Sequence, residues 1–420
     1  MIYKIFRVLA NIAIRVFYGK IEVDGIENIP KNVPILIASN HPNGFLEPII
    51  MACLFPRPLH FMVRGDVFRK KWLKPILIQT NQIPIFRFKD GFSELRKNDS
   101  SLQIAYEALD RGAAIILFIE GGTINIKKLR PFQKGLARMA SDYLAKENSR
   151  DDLMILPVAI NFVSPFVLRS RVNLNIGKAL TAREYFHNGE PKPVEVKKMT
   201  DDLYSRIKPM AYHVSDDSRQ PTLNKTLKWV EGLIPLPFFP GVNFQKTNWS
   251  TFKATSNMID QMDEKQFSEF KKGIDNLGAV SAQMVKRSNS NYFLNYLLSI
   301  VLLIPAMVGL VMNIIPGLMA QHLAKTKLDE SNTVFMASII LSSGVGFYVV
   351  YYFWVIVGLS FFFGLKALAF LLAYPLGIIF LWWKNVFRSS FLKGKYQLTD
   401  DQKNRLIALF ADNNVTIPKT

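Results

Sequence analysis

The sequence contains very little cysteine or histidine. Cys53 is the only cysteine among 420 residues, which excludes an internal disulfide framework. The five histidines are scattered and form no cluster with the spacing of metal ligands. We therefore expect a protein of a reducing compartment whose chemistry uses no metal.

Charge is almost absent from one long stretch in the C-terminal half. Between Phe293 and Trp383 the charged residues are few: Lys325, Lys327, Asp329, Glu330 and Lys366. Because a membrane span needs roughly 20 apolar residues, residues 334–383 are predicted to form two transmembrane helices with a turn near 364–366. Residues 292–324 are apolar but interrupted by prolines, and they are predicted to form a re-entrant or transmembrane segment.

Basic residues indicate the sides of the membrane. The tail, residues 384–420, begins with several Lys and Arg residues and no acid before Asp400, and the positive-inside rule places such a tail in the cytoplasm. If the basic N-terminal domain is cytoplasmic too, the number of crossings is even. That favours a re-entrant pair of half-helices over 292–324, with a third full span as the alternative.

Acidic residues are scarce relative to basic ones. The chain has 52 Lys and Arg but 33 Asp and Glu, a formal net charge of +19, which attracts phosphate groups or an anionic membrane surface. The sequence has no zinc-finger spacing and no aromatic RNA-binding motif. We therefore expect no nucleic-acid partner.

The first 20 residues lack the features of a signal peptide. Their apolar run between Arg7 and Arg15 is only seven residues long, and no small-residue cleavage site follows it. Apolar residues instead recur at helical spacing, while Lys4, Arg7 and Arg15 line another face. Residues 1–20 therefore fit an amphipathic helix lying on an anionic membrane surface, or one packed on the following domain.

Short β-rich apolar runs alternate with helical patterns in the N-terminal half. The runs occupy residues 33–39, 59–63, 82–86, 113–119, 153–162 and 171–177. The segments at 66–79, 100–111 and 132–147 have helix length and periodicity. This alternation predicts an α/β domain over 21–215 with a mostly buried sheet flanked by helices. Residues 216–291 are more polar and are predicted to form a helical and loop linker region.

A histidine and a carboxylate follow the first of these strands. In "SNHPNGFLEP", His41 comes directly after the run at 33–39, and Glu47 lies six positions later. A histidine there can accept a proton from a substrate hydroxyl if a carboxylate fixes its tautomer. Six helical residues turn through roughly 600°, about 120° from alignment, so the pair forms only if His41 precedes the first turn, which Pro42 favours. The alternative is a structural histidine at a strand end.

A glycine pair follows another strand, in "FIEGGTINIKKLRPFQKG". Glu120, Gly121, Gly122 and Thr123 come where the strand ends. Glycines there permit positive φ and let backbone amides converge on an anion, with the Thr123 hydroxyl as a further donor. A tight turn alone would also explain the glycines.

Two arginines also stand at predicted strand ends. Arg64 ends "LHFMVR" and Arg87 ends "TNQIPIFR". Guanidinium groups in such positions can clamp a phosphate through two hydrogen bonds, although most arginines are solvated surface charges.

Taken in order, these blocks resemble the glycerolipid acyltransferases typified by lysophosphatidate acyltransferase and glycerol-3-phosphate acyltransferase. The blocks are "NHPNGFLEP", "NQIPIFR", "FIEGGT" followed by "PFQKG", and "ILPVAINF", and they span residues 30–165. The resemblance implies an α/β acyltransferase domain followed by a helical region and C-terminal transmembrane helices. It also implies a multi-pass membrane protein whose catalytic domain is cytoplasmic.

The resemblance implies roles for individual residues. His41 is the general base on the acceptor hydroxyl, Glu47 orients it, and Arg87 with the loop of residues 120–123 holds the acceptor's phosphate. Arg64 and Lys134 are further candidates for substrate binding. The donor is acyl-CoA or acyl carrier protein, the acceptor is glycerol-3-phosphate or its 1-acyl form, and no cofactor is needed.

The sequence also departs from the family pattern. Five residues instead of four separate the histidine from its acid, and the acid is glutamate instead of aspartate. Ile119 replaces a proline, Thr123 a serine and Asn81 a glycine. Two alternatives therefore stay open: acylation of a different lyso-lipid, and a catalytically inactive homologue that binds lipid or scaffolds partners at a membrane.

Overall fold

The computed structural model divides the chain into two compact units. It describes residues 2–86, 96–187, 192–234, 241–244, 248–278, 292–327, 335–391 and 400–412. The first unit comprises Met1–Asn11, Val23–Asn161 and Asn173–His213. The second unit comprises Ile12–Glu22, Phe162–Val172 and Val214–Thr420.

Strands and helices alternate through the first half of the chain, and helices follow in the second. The strands are β1 (Lys20–Asp24), β2 (Ile35–Ser39), β3 (Leu59–Arg64), β4 (Gln82–Ile85), β5 (Ala114–Phe118), β6 (Met154–Phe162), β7 (Arg171–Ile176), β8 (Leu180–Thr181) and β9 (Gly241–Asn243). The first helices are α1 (Ile2–Phe17), α2 (Leu46–Leu54), α3 (Lys74–Gln79), α4 (Asn98–Asp110), α5 (Gly135–Leu144) and α6 (Pro193–Ile207). The later helices are α7 (Gln220–Leu233), α8 (Trp249–Gln261), α9 (Glu264–Asn276), α10 (Tyr292–Val301), α11 (Leu303–Lys327), α12 (Met336–Phe363), α13 (Ala373–Phe391) and α14 (Asp400–Ala411).

The sheet of the first unit has its strands in the order β4-β3-β5-β2-β6-β7. β2 pairs in parallel with both β5 and β6, and β3 pairs in parallel with β4 and β5. β8 lies antiparallel to β6, so the sheet is mixed. Each of the six predicted strands is confirmed. The central strands β2 and β6 are apolar runs that the sheet buries on both faces, whereas β3 and β4 at one end of the sheet are only partly buried.

Helices cover this sheet and complete the core of the first unit. Ala105 of α4 and Tyr143 of α5 are buried in one cluster with Leu36, Ile115 and Ile155 of the central strands. The predicted α/β domain with a buried sheet and flanking helices is confirmed. The unit ends at His213, close to the predicted limit, but residues 162–172 group with the second unit.

The segment predicted as one helix over 66–79 is divided. A 3₁₀ turn over Gly65–Arg69 follows β3 directly, and α3 begins at Lys74. Pro75 occupies the first turn of α3, a position that proline tolerates at a helix start but not in its interior. The helix therefore starts late instead of continuing from β3.

The apolar region lies in the second unit and contains two helical runs long and apolar enough to cross a membrane, Leu303–Thr326 and Met336–Lys384. Over 292–324, where a pair of half-helices or a full span is predicted, the structure has α10 followed by α11, and α11 is continuous for 25 residues through Pro316. Proline is tolerated in membrane helices because neighbouring groups satisfy the backbone groups it frees. The turn predicted near 364–366 is confirmed at Gly364, and a 3₁₀ segment, Gly364–Leu372, follows it.

Candidate active site

Two loops of the first unit leave the sheet side by side. Ser39 at the end of β2 lies opposite Phe118 at the end of β5, and the two strands are parallel. His41 and Glu120 each follow two residues later. The sheet therefore brings two separately predicted motifs to one edge, where α/β folds usually carry their functional groups.

The turn between β2 and α2 holds His41 outside the helix. The Asn40 side chain donates to the Ile160 carbonyl at 3.0 Å and accepts from the Ile160 N–H at 2.8 Å, which fixes the exit from β2. Gly44 has φ of 70°, a left-handed conformation that suits glycine. α2 begins only at Leu46. The angular misalignment of a helical pair therefore does not apply to His41.

His41 and Glu47 face each other inside the protein. Nδ1 of His41 lies 3.7 Å from Oε2 of Glu47, whose side chain is fully buried. The other carboxyl oxygen of Glu47 accepts a hydrogen bond from the Asn43 backbone N–H. Within the described residues neither Nδ1 nor Oε2 has a hydrogen-bond partner, so a small closure between them would pair both atoms.

The surroundings of the pair oppose charge. Burial lowers the pKa of His41 to about 3, with a smaller contribution from the nearby Arg130 guanidinium. Burial raises the pKa of Glu47 to about 8, although its hydrogen bond from Asn43 acts in the other direction. The ring of Phe118 stacks on the imidazole with 4.0 Å between centroids and 14° between planes. His41 is therefore neutral near pH 7, as a proton acceptor must be.

The glycine loop after β5 is pinned by an arginine that the sequence did not single out. Arg130 donates to Oε2 of Glu120 from Nη2 at 2.9 Å and from Nε at 3.1 Å, and it also donates to the Gly122 carbonyl. Burial raises the pKa of Glu120, while Arg130 and a backbone hydrogen bond with His41 lower it. The positive charge of Arg130 also contributes to the lowered pKa of His41.

Backbone conformation explains the first glycine of the loop. Gly121 has φ of 70°, and a Cβ there would stand 2.8 Å from the Gln133 side chain. The Gln133 N–H donates to the Ile119 carbonyl at 2.7 Å, which closes the loop. Gly122 and Thr123 follow, half-buried, on the same loop.

Not all of the other predicted substrate-binding residues lie at the site formed by His41 and Glu120. Arg64 is exposed at the end of β3 and is engaged with both carboxyl oxygens of Asp66, at 3.1 and 2.6 Å. Lys134 is exposed immediately before α5. Arg87 lies outside the described residues, so its predicted role stays a prediction.

The signal that could have found Arg130 is charge balance. Glu120 follows a buried strand, and a buried carboxylate requires a cation nearby. Arg130 lies in an irregular segment ten residues further on, where neither periodicity nor a motif marks it. In the part of the chain that the structure describes, no three His, Cys, Asp or Glu side chains are grouped as metal ligands would be.

Comparison with known proteins finds similarity to acyltransferases. Residues 20–161 match the family model Acyltransferase. The 1-acyl-sn-glycerol-3-phosphate acyltransferase of Bacillus subtilis is 24% identical over 194 residues, which are 45% of this chain and 87% of that protein. The crystal structure of the 1-acyl-sn-glycerophosphate acyltransferase PlsC from Thermotoga maritima is 18% identical, with a TM-score of 0.35 over 48% of this chain and 77% of that one. Residues 20–161 are therefore similar to an acyltransferase domain, and the relatives found are glycerolipid acyltransferases.

Proposed function

We propose that the protein transfers a fatty acyl chain from an acyl thioester, carried by coenzyme A or acyl carrier protein, to a hydroxyl of 1-acyl-glycerol-3-phosphate. The observation that carries the proposal is the neutral, buried His41 facing Glu47 at the sheet edge that also carries the Glu120–Arg130 pair. Glycerol-3-phosphate is the alternative acceptor. The name of the Bacillus subtilis relative favours the acylated one.

The chemistry follows from the orientation of the imidazole. Nδ1 faces Glu47, so Nε2 is the nitrogen that takes the proton from the acceptor hydroxyl. The hydroxyl oxygen then attacks the thioester carbonyl, and the tetrahedral intermediate expels the thiolate, which recovers the proton from the imidazolium. Glu47 holds the proton on Nδ1 and stabilises the imidazolium while it exists. The thioester supplies its own leaving group, so we expect no cofactor.

We further propose that Arg130 and the loop of residues 120–123 bind the acceptor's phosphate. Arg130 is 20% exposed at its side chain, so its guanidinium is held by Glu120 but is accessible to a ligand. A phosphate would add a second anion to a guanidinium that has several N–H donors.

The proposed substrates are lipids, so the domain has to work at a bilayer surface. α1 leaves Ile5, Val8 and Ile12 exposed on one helical face, which suits insertion into the headgroup region. Between the 3₁₀ turn after β3 and the start of α3, Trp72 is 70% exposed. Its neighbours are cations, namely Arg69, Lys70, Lys71 and Lys74. Both features fit an anionic membrane surface, and we propose a multi-pass membrane protein with a cytoplasmic catalytic domain.

The test is a donor and acceptor comparison with the purified full-length protein. A radiolabelled acyl group is supplied on coenzyme A or on acyl carrier protein, with 1-acyl-glycerol-3-phosphate or glycerol-3-phosphate as the acceptor. The His41→Ala variant is assayed in parallel. We expect labelled phosphatidate with wild type and none with the variant. Absence of label on every acceptor across a lyso-lipid panel would refute the enzyme proposal and favour a non-catalytic lipid-binding role.

A further inference from the structure

Two long helices of the second unit lie antiparallel. The Tyr348 hydroxyl of α12 donates to the Asn313 carbonyl of α11 at 3.0 Å, and the Tyr352 hydroxyl donates to Oδ1 of Asn313 at 2.9 Å. Earlier in α12, a Cβ at Gly344 would contact Ala320. As the residue number in α12 increases, the number of the contacted residue in α11 decreases, so the two helices are antiparallel. At 25 and 28 residues, both helices exceed the roughly 30 Å of a bilayer core at about 1.5 Å per residue.

The last apolar helix, α13, begins at the middle of α11. Nδ2 of Asn313 donates to the Ala373 carbonyl at 2.8 Å. Further along, a Cβ at Gly309 would overlap the Leu376 carbonyl, so the two backbones touch there. Nε1 of Trp383 then reaches the Ser299 carbonyl of α10 at 2.7 Å. From Ala373 to Trp383 the helix rises about 15 Å, which is about half of the bilayer core.

The 3₁₀ segment between α12 and α13 covers the same half in the opposite direction. The chain reverses at Gly364, whose φ is 54°. The segment then folds back along α12, because the Phe370 ring packs on Tyr352 at 5.2 Å and on Tyr351 at 6.2 Å between centroids. Tyr352 also contacts Asn313, so the segment and α13 meet at the level where α13 begins.

The helices that precede and follow the apolar region pack on each other within the second unit. Nε2 of Gln402 donates to the Leu277 carbonyl at 2.9 Å, just beyond α9. The Phe270 and Phe410 rings lie 6.3 Å apart. α9 and α14 must therefore be on the same side of any bilayer, which requires an even number of crossings.

We propose that residues 364–391 form a re-entrant hairpin, so that the chain crosses the membrane only twice, through α11 and α12. The hairpin enters and leaves the bilayer on the side of α9 and α14. The turn that leads from α12 into the hairpin, the aromatic tip at residues 361–366, then lies in the interface of that leaflet, and the hairpin's own turn lies at the level of Asn313, where the 3₁₀ segment meets α13. Phe361 and Leu365 are 83% and 87% exposed, which suits contact with lipid, and Lys366 can extend to the phosphate headgroups.

Asn313 fixes the depth of the hairpin. A polar side chain in a bilayer is costly unless it is hydrogen-bonded, and the Asn313 amide donates to the Gly309 and Ala373 carbonyls and accepts from Tyr352. These bonds join α11, α12 and the start of α13 at one level. Because the amide is satisfied within the protein, it is a packing group for the three helices.

Cysteine labelling in sealed membranes distinguishes the possible topologies. The chain has one cysteine, the buried Cys53, so Cys53→Ala provides a background. Single cysteines replace four exposed residues: Glu107 in the acyltransferase domain, Lys325 near the end of α11, Lys366 in the aromatic tip and Arg405 in α14. A membrane-impermeant maleimide is applied to vesicles of each orientation, and detergent-opened vesicles show that each thiol reacts.

The proposal expects Glu107→Cys, Lys366→Cys and Arg405→Cys to react from one side and Lys325→Cys from the other. If α13 were a third full span, Arg405→Cys would react from the side opposite Lys366→Cys. If the half-helices lay over 292–324 instead, Lys325→Cys would react with Glu107→Cys, and Lys366→Cys would not. Either pattern overturns the proposal, as would recovery of the protein in the soluble fraction. The labelling pattern does not depend on acyl transfer, so it tests the topology separately from the proposed reaction.

Discussion

Two glutamates of this chain are both fully buried, and their surroundings differ. Glu22 of β1, in the second unit, is surrounded by donors. Lys20 lies 2.8 Å and Arg171 3.1 Å from its Oε1, and Asn248 donates from its backbone and its side chain. Burial raises the pKa of Glu22, but these groups outweigh burial and the pKa falls below its usual value.

Glu47 has far less compensation. It accepts one backbone hydrogen bond from Asn43 and faces His41 at 3.7 Å, and burial raises its pKa to about 8. A carboxylate with a complete set of donors is an element of stability. A buried carboxyl group whose pKa lies near physiological pH, next to an imidazole, can instead exchange protons at that pH. The comparison therefore separates a structural glutamate from a functional one.

The largest expected effect tests the functional side of this comparison. His41→Ala removes the proton acceptor, and because general base catalysis contributes about 10²–10⁴-fold, the rate of acyl transfer should fall by at least that factor. The measurement is label transfer under single-turnover conditions. His187→Ala, which removes an exposed histidine, is the control and should keep the wild-type rate. Comparable rates in the two variants would exclude His41 as the base.

The next effect tests the structural side. Glu22→Gln leaves Arg171, which is fully buried, without its counter-charge, and breaking a buried pair in this way costs about 3–5 kcal/mol. Glu47→Gln should cost less at pH 7, because a carboxyl with a pKa of about 8 is already mostly neutral there. Thermal melts of the two variants in the same detergent make the comparison. Equal losses of stability would mean that Glu47 is also a structural charge.

A pH profile sharpens the comparison further. When Glu47 is protonated it donates to Nδ1 of His41, so the single proton of the neutral imidazole lies on Nε2, where it blocks proton uptake. Ionised Glu47 accepts from Nδ1–H and frees Nε2. Because the pKa of Glu47 is raised to about 8, kcat/KM should rise about tenfold per pH unit below that value and level off above it.

Glu47→Gln provides the matched variant for this profile. The Gln amide oxygen can still accept from Nδ1–H, but it has no charge to stabilise the imidazolium. We expect a slower enzyme in which the rise with pH near 8 is absent. A wild-type profile that is flat between pH 6 and 9 would show that Glu47 does not set the tautomer of His41.

The sheet could be predicted from the sequence because its central strands are buried on both faces. Runs such as Ala114–Phe118 are apolar throughout and end in turn residues, so burial and boundaries are both visible in one dimension. The histidine site was predictable for the same reason, since it follows such a run. The distance between His41 and Glu47 was not, because it depends on the turn that Gly44 and Asn40 make.

Tertiary contacts explain why the sequence did not predict where the helices of the apolar region break. Pro316 suggested a break in a helix, but α11 passes through it and Pro316 is buried among its neighbours. The break falls at Leu302 instead, between α10 and α11. In the proposed topology the half-length segment is the part of α13 from Ala373 to Trp383, because Asn313 fixes where that helix begins. A contact between residues 60 positions apart has no signature in local periodicity.

The smallest expected effect concerns the phosphate of the acceptor. Arg130→Gln removes a guanidinium beside the glycine loop, and since a hydrogen bond to a charged group contributes about 1.5–3 kcal/mol, KM for 1-acyl-glycerol-3-phosphate should rise about 10- to 100-fold. Arg138→Gln, on the exposed face of α5, is the matched control and should leave KM unchanged. A monoacylglycerol acceptor has no phosphate and should not respond to either substitution. If Arg130→Gln impaired both acceptors equally, Arg130 would act by supporting Glu120 and His41, and the phosphate would have to be bound elsewhere.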